Sequence, residues 1–303
     1  MIVYDVQDLV KYYPGQREPA NKHISLHIEQ GEIFGILGDN GAGKSTLVRQ
    51  MVNLVASTSG SITLFGQSIT AHPLHVPRHV GYMPQDGRAL NQLTVDEALF
   101  YTARLRGMRR ADARSDCDAL LDRWQINALR HKYSSRLSGG ERRLLQLAVA
   151  MAGSPPVLIL DEPTNDLDPQ RRKLVWDVLR RYNTERGATI IFITHDALEA
   201  EKIIQRVAIL RAGELVALGK PSELKQAVDQ KLRLELFFSP ETPPALLAGL
   251  PTYAIEAGRW LVLLEWQQAM ATLASLNLEQ LDDFRLYSAT LEDLYLYYAA
   301  QPH

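Results

Sequence analysis

The segment Gly38–Thr46 reads Gly-Asp-Asn-Gly-Ala-Gly-Lys-Ser-Thr and matches the G-x-x-x-x-G-K-[ST] pattern of a phosphate-binding loop. The apolar run Ile33–Leu37 before it predicts a buried strand, and Leu47, Met51 and Leu54 recur after it at helical spacing. Glycines let consecutive backbone N–H groups converge on one point, where the positive end of the helix dipole also acts. Strand, turn and helix together predict a site for a di- or triphosphate rather than an ordinary glycine-rich turn.

Two polar side chains of this loop have expected roles of their own. We expect Lys44 to reach the β and γ phosphates and the Ser45 hydroxyl to occupy one Mg²⁺ position. The residues that we expect to bind the phosphates are Gly38, Asn40, Gly41, Ala42, Gly43, Lys44, Ser45 and Thr46.

Two adjacent carboxylates, Asp161 and Glu162, follow the apolar run Val157–Leu160, which predicts a buried strand. Ligands of open α/β sheets bind at this carboxyl end of the strands. Such a pair repels by a few kcal/mol at about 4 Å in a surface-like dielectric, and a metal ion would relieve that cost. Because successive strand side chains point to opposite faces, we expect different roles. Asp161 would bind Mg²⁺, directly or through water, and Glu162 would orient and polarise the attacking water; the alternative is a solvated acidic pair.

A second candidate site begins a helix at Leu137–Glu141. Ser138 and Glu141 have the S-x-x-E spacing of a capping box, which by itself explains both residues. It does not explain Gly139 and Gly140, since each glycine in a helix costs about 1 kcal/mol relative to alanine. Bare N–H groups beside a serine hydroxyl therefore indicate a second helix terminus that faces phosphate.

Further polar and aromatic residues are weaker candidates. Gln85 follows a predicted strand and could contact Mg²⁺ or the attacking water, although alone it fits an ordinary loop. His195 ends a buried strand and could contact the γ-phosphate or be a satisfied structural residue. Tyr12 or Tyr13 could stack on an adenine ring, an interaction typically worth about 1–3 kcal/mol, or could cover a sheet edge.

Length and composition predict a soluble globular chain with one large and one smaller domain. The 303 residues are 46% hydrophobic and 22% charged, and the formal net charge of -2 gives no general reason to expect a nucleic-acid partner. The single Cys117 cannot form an internal disulfide, which fits a reducing compartment. The N-terminus lacks the features of a signal peptide, and no apolar run approaches the roughly 20 residues that span a bilayer. If this protein works at a membrane, another protein must cross it.

In chain order, the phosphate loop, Gln85, Leu137–Glu141, the acidic pair and His195 resemble the nucleotide-binding subunit of ABC transporters. The resemblance covers about residues 2–228 and rests mainly on Leu-Ser-Gly-Gly-Glu, which separates this family from other phosphate-loop NTPases. It implies an α/β fold, a P-loop NTPase core of the ABC ATPase type at residues 1–228, with a helical subdomain at about 86–152. The alternating pattern beyond it predicts a small C-terminal α/β domain at 229–303.

The resemblance also implies roles for single residues. Gln85 would be the glutamine of the Q-loop, and Asp161 the Walker B aspartate. Glu162 would be the catalytic base, His195 the switch histidine and Asp168 the aspartate of the D-loop.

Signature residues of the family close on the γ-phosphate of a partner copy, and Ser138, Gly139 and Gly140 resemble them. Tyr13 resembles the adenine-stacking aromatic, with Tyr12 as the alternative in register. Glu141 is a departure, because the family more often has glutamine there. Both side chains satisfy the capping role, so we expect function to survive, with a slightly weaker attraction for phosphate.

The family implies an ATPase that binds ATP and Mg²⁺ in a head-to-tail dimer with a second copy, at the cytoplasmic face of a membrane, and that drives an integral membrane permease. Thr290–Leu296 looks like the S-L-E-D-V-F ending of export-type subunits, although the transported substrate does not follow from it. The alternative is a soluble ABC ATPase acting on ribosomes or nucleic acid. Against it stand the single ATPase cassette, the slightly acidic charge and the lack of a basic helical linker.

Overall fold

A computed structural model of the chain describes residues 1–85, 90–194, 201, 203–228, 231–237, 252–256, 258–275, 281–288 and 290. The chain divides into two compact units, Met1–Lys220 and Pro221–His303. This division comes before the helix Pro221–Val228, whereas the sequence pattern predicts a boundary after it, at 228. The sequence also predicts a last helix near 290–300, which beyond Thr290 lies outside the described residues.

The first unit is built on a six-stranded sheet in the order β10-β9-β3-β8-β7-β6. Its strands pair in parallel except β10, which runs antiparallel to β9. Every residue of β3, β7 and β8 is buried, as near-continuous apolar runs in a parallel sheet predict. The strands are β3 (Ile33–Leu37), β6 (Val80–Met83), β7 (Val157–Asp161), β8 (Thr189–Ile193), β9 (Arg206–Arg211) and β10 (Glu214–Gly219).

A second, antiparallel sheet of this unit has the order β2-β1-β4-β5. Polar and apolar residues alternate along most of β2, and burial alternates with them, so one face of the strand is exposed. One hydrophobic cluster joins this sheet to the parallel sheet through the helix α1. These elements are β1 (Ile2–Lys11), β2 (Asn21–Glu29), α1 (Lys44–Met51), β4 (Ser59–Leu64) and β5 (Gln67–Ser68).

Helices α3, α4 and α5 pack on one another and form the helical part of the first unit. Thr94 and Glu97 have the T-x-x-E spacing of a capping box, and both of its bonds form at the start of α3. Arg106 follows α3, and its Nη1 donates hydrogen bonds to three carbonyls at the end of α5. Burial lowers the pKa of Arg106 to about 10. The helices are α2 (His75–His79), α3 (Val95–Leu105), α4 (Arg110–Arg123), α5 (Gly139–Met151) and α6 (Pro169–Arg186).

The second unit contains an antiparallel sheet in the order β12-β13-β11-β14, with α8 packed on β11 and β13. Its core cluster comprises Leu234, Leu236, Val262, Leu264 and Ala269. None of the helices described in either unit is both long and apolar enough to span a bilayer. The elements are α7 (Pro221–Val228), β11 (Leu232–Phe237), β12 (Thr252–Glu256), β13 (Arg259–Leu264), α8 (Trp266–Ser275) and β14 (Asp283–Tyr287).

Candidate functional site

The phosphate loop connects the central strand β3 to α1, as the sequence predicts. Gly43 is the N-cap of α1, and no side chain caps this helix terminus. The first turn of α1 also holds no acidic residue. Its first N–H groups and the positive end of the helix dipole therefore remain available to an anion.

All three glycines of the loop have positive φ angles, and for two of them there is also no room for a side chain. Gly38 has φ +151°, and a Cβ there would lie 2.3 Å from the carbonyl oxygen of Leu210. Gly43 has φ +97°, and a Cβ there would lie 2.3 Å from the carbonyl oxygen of Ala20. Gly41 has φ +84°, and a Cβ there would meet nothing within 4 Å. Gly43 is thus required both by its conformation and by the close approach of the backbone at Ala20, just before β2.

We expect Gly43→Ala to destabilise the protein more than Gly41→Ala. The Gly41 variant should lose about 1 kcal/mol, since it adds only the strain of a positive φ. The Gly43 variant should lose about 1–3 kcal/mol more, because backbone must move to admit the methyl group. Urea unfolding followed by circular dichroism measures both free energies, and equal losses would contradict the packing argument.

Buried amides that the sequence analysis did not identify support the loop from behind. Asn21, which is 0% exposed, donates from Nδ2 to the Gly43 carbonyl at 3.1 Å. Gln50 on α1 donates from Nε2 to Asn21 Oδ1 at 2.7 Å. No local sequence signal marks Asn21, because its partners lie 22 and 29 residues away.

One cavity of about 170 Å³ brings together residues from distant parts of the sequence. The phosphate loop forms one wall, and the ends of β6 and β7 contribute Gln85, Asp161 and Glu162. The predicted site residues that line it are Asn40, Gly41, Ala42, Gly43, Lys44, Ser45, Thr46, Gln85, Asp161 and Glu162.

Lys44 is the cation of this cavity and is only 7% exposed. Its Nζ donates to the carbonyl oxygens of Gly38 and Asp39 at 2.5 and 2.9 Å. Burial lowers the pKa of Lys44, and the carboxylates of Glu162 and Asp161 act against that shift. The positive charge of Lys44 therefore lies in the same cavity as the backbone N–H groups of the loop, and both can bind an anionic ligand.

The acidic pair faces the same cavity, which corrects the expectation that its side chains point to opposite faces. Strand β7 ends at Asp161, and Glu162 has φ +52°, so strand alternation does not extend to it. Burial, and then Glu162, raise the pKa of Asp161, while Lys44 and a hydrogen bond from Ser45 lower it. A residue other than glycine at positive φ is uncommon and here lies at the cavity wall.

Tyr13 lies beside the phosphate loop and Tyr12 does not. The Tyr13 hydroxyl is 3.5 Å from Thr46 Oγ1, and Lys11 Nζ lies 5.2 Å from the centroid of the Tyr13 ring. Tyr12 is 46% exposed, and its N–H donates to Thr58 Oγ1. This placement favours Tyr13 as the base-stacking residue.

The signature turn, Leu137–Glu141, begins α5 with both bonds of a capping box. Ser138 N–H donates to Glu141 Oε2 at 2.9 Å, and Glu141 N–H donates to Ser138 Oγ at 3.3 Å. Ser138 and Gly139 are exposed, Gly140 is buried, and none of the three lines the phosphate-loop cavity. The phosphate loop and the signature turn are therefore two separate helix termini, of which only the second is capped by side chains.

Comparison with known proteins decides the family. The model of the ABC transporter family matches residues 21–165. The Nod factor export ATP-binding protein I of Paraburkholderia xenovorans is 39% identical over 217 residues, which are 72% of this chain and 71% of that protein. The chain belongs to the ATP-binding subunits of the ABC transporter family.

One further relative and one solved structure are similar to this ABC subunit. It is 34% identical over 242 residues to ATP-binding cassette sub-family A member 2 of Rattus norvegicus, covering 80% of this chain but only 10% of that protein. A solved structure described as an ATP-binding subunit of an ABC transporter matches with a TM-score of 0.70 and 25% identity. That match covers 74% of this chain and 92% of the solved chain. The α/β architecture with an ABC ATPase core is thereby confirmed.

Of two further positions of the ABC motif set, the structure describes Asp168 but not His195. Asp168 is the N-cap of α6, and its Oδ1 accepts a hydrogen bond from Arg171 N–H at 2.9 Å. His195 lies outside the described residues, so its expected contact with the γ-phosphate stays a prediction.

Proposed function

We propose that this subunit binds and hydrolyses ATP between two copies of itself and drives export through a separate membrane permease. The observation that carries the proposal is the composition of one cavity, where the phosphate loop, Gln85 and the acidic pair meet. The signature turn lies apart from that cavity. A second copy, placed head to tail, would bring its Ser138 and Gly139 to the phosphates.

The residues of the cavity divide the chemistry among them. On ATP binding, Lys44 exchanges its carbonyl partners for β and γ phosphate oxygens, where its charge is stabilised by stronger bonds. Glu162 orients the attacking water and accepts its proton. Tyr13 stacks on the adenine ring beside Thr46.

The donor set also fits Mg²⁺. Ser45, Gln85 and Asp161 contribute a hydroxyl, an amide and a carboxylate to one cavity, and oxygen atoms are the ligands that Mg²⁺ takes. Among the described residues no group of three or more His, Cys, Asp or Glu side chains could hold a metal ion. The site would therefore depend on hydroxyl and amide oxygens. When bound there, Mg²⁺ would neutralise charge on the β and γ phosphates.

An apolar groove supports the proposed permease partner. A groove of about 510 Å³, which we call the apolar groove, lies between α2, β6, α3 and the end of α1. Two leucines on its rim, Leu54 and Leu105, are 65% and 87% exposed. Exposed leucines gathered around one groove mark a protein–protein contact. Arg106 also lines this groove, so a partner docked here would contact a side chain that is hydrogen-bonded to the end of α5, the helix that begins with the signature turn.

Charge placed in the apolar groove should disrupt permease binding. We expect Leu54→Glu and Leu105→Glu each to weaken association with the permease at least about tenfold, because burying a carboxylate in an apolar contact is costly. Tyr101→Glu is the matched control, since Tyr101 is an exposed residue of α3 outside the groove. Affinity capture from detergent-solubilised membranes measures the retained permease. Equal retention by all three variants would exclude this groove as the docking surface.

The same capture experiment distinguishes transport from the alternative function, a soluble ATPase that acts on ribosomes or nucleic acid. An integral membrane protein with about six spanning helices, which stimulates ATP turnover by the subunit, would support transport. Recovery of ribosomes or nucleic acid in its place would favour the soluble regulator. Export is supported by the similarity to the Nod factor export ATP-binding protein I, and a location on the cytoplasmic face follows from the proposed partner.

A further inference from the structure

The glutamate of the signature turn adds a negative charge where phosphate is proposed to bind. Glu141 takes part in the capping box, and the hydrogen bond from the Ser138 N–H lowers the pKa of its carboxyl group. The nearby cations Lys132 and Arg171 act in the same direction. The carboxylate is therefore held in its charged form within reach of positive charge from another helix.

Arg171, in the first turn of α6, lies directly against the signature turn. A Cβ added to Gly140 would be 2.5 Å from Arg171 Nη1, so the guanidinium group covers the bare backbone of that glycine. On its other side, Arg171 Nε lies 3.6 Å from Asp168 Oδ2. Arg171 also shares with Glu141 and Asp168 the lining of a cleft of about 610 Å³ between α5 and α6.

We propose that Arg171 is a positioning residue that holds the signature turn to the start of α6 and balances the charge of Glu141. The inference rests on the proposed function, because the turn must meet a nucleotide bound by a second copy. Through Arg171, the turn and Asp168 keep one relative position when the dimer closes. Gly140 thus has a role within its own chain, since a larger residue would displace the guanidinium group.

The expected effect is moderate because Arg171 and Asp168 are 40% and 52% exposed. We expect Arg171→Gln to raise the KM for ATP about two- to fivefold, as for the loss of an exposed ion pair, with kcat little changed. Arg171→Lys should recover part of the loss. In the E141Q background, Arg171→Gln should raise the KM by a smaller factor, because the carboxylate of Glu141 is no longer left unbalanced. The same fold-change in both backgrounds would overturn the proposal.

A second measurement does not depend on nucleotide. Without ATP, Arg171→Gln should speed amide hydrogen exchange in the signature turn about two- to fivefold, because Gly140 loses its cover. Arg180→Gln is the matched control, since Arg180 is an exposed arginine of the same helix. If both variants exchange alike, the link through Arg171 is wrong. If Arg171→Gln exchanges faster but the wild-type protein does not bind ATP, the contact between Arg171 and the signature turn is supported and the proposed function is contradicted.

Discussion

Replacing Glu162 with glutamine is expected to lower ATP turnover about 10²- to 10⁴-fold while ATP still binds. The side chain is 7% exposed and lines the phosphate-loop cavity. An amide keeps the size of the carboxylate and still accepts a hydrogen bond from water, but it does not take up the proton of the attacking water at neutral pH. Since binding groups remain in place, the variant should accumulate as an ATP-bound dimer.

Turnover and oligomeric state must be measured together for this variant. Single-turnover assays give the rate of the chemical step, and light scattering with and without ATP gives the mass. Glu185→Gln removes an exposed carboxylate of α6 and should behave as the wild-type protein does. Turnover that survives in Glu162→Gln would remove the assignment of Glu162 as the general base. A variant that binds ATP and stays monomeric would contradict the proposed dimer.

Replacing Lys44 with alanine is expected to weaken ATP binding about 100-fold, the cost of truncating one partner of a buried, hydrogen-bonded charge pair. Lys44 is the ammonium group that balances Asp161 and Glu162 in the cavity. Without it, two adjacent carboxylates would face an incoming triphosphate with less positive charge nearby, and repulsion would add to the lost bonds.

Calorimetric titration with a non-hydrolysable ATP analogue measures this loss directly. Lys173→Ala is the control, because Lys173 is an exposed lysine of α6. Lys44→Arg keeps the charge but not the shape of the ammonium group, so it should bind more weakly than wild type and more tightly than Lys44→Ala. An affinity of Lys44→Ala within a factor of about three of wild type would mean that the phosphates bind elsewhere.

Local sequence patterns were sufficient for the elements that carry the chemistry. The buried strand, glycine-rich turn and helix around Lys44 form as predicted, because each depends on neighbouring residues. The capping boxes at Thr94 and Ser138 also form, since both of their bonds join residues three positions apart. Strand β12 (Thr252–Glu256) was not predicted, because only pairing with β13 identifies so short a segment as a strand.

Long-range contacts decided the rest of the site. The sequence placed Asp161 and Glu162 on opposite faces by strand alternation, and the positive φ of Glu162 brings both to one cavity. The support of the phosphate loop by Asn21, and the contact of Arg171 with Gly140, join residues far apart in the chain.

By itself, the sequence determined which residues could bind phosphate and metal, because spacing along a strand, turn or helix is a local property. Only the tertiary structure decided that the phosphate loop and the acidic pair share a cavity from which the signature turn of the same chain is absent. The physical reason is that the packing of the parallel sheet sets which strand ends meet. No pattern of neighbouring residues contains that information.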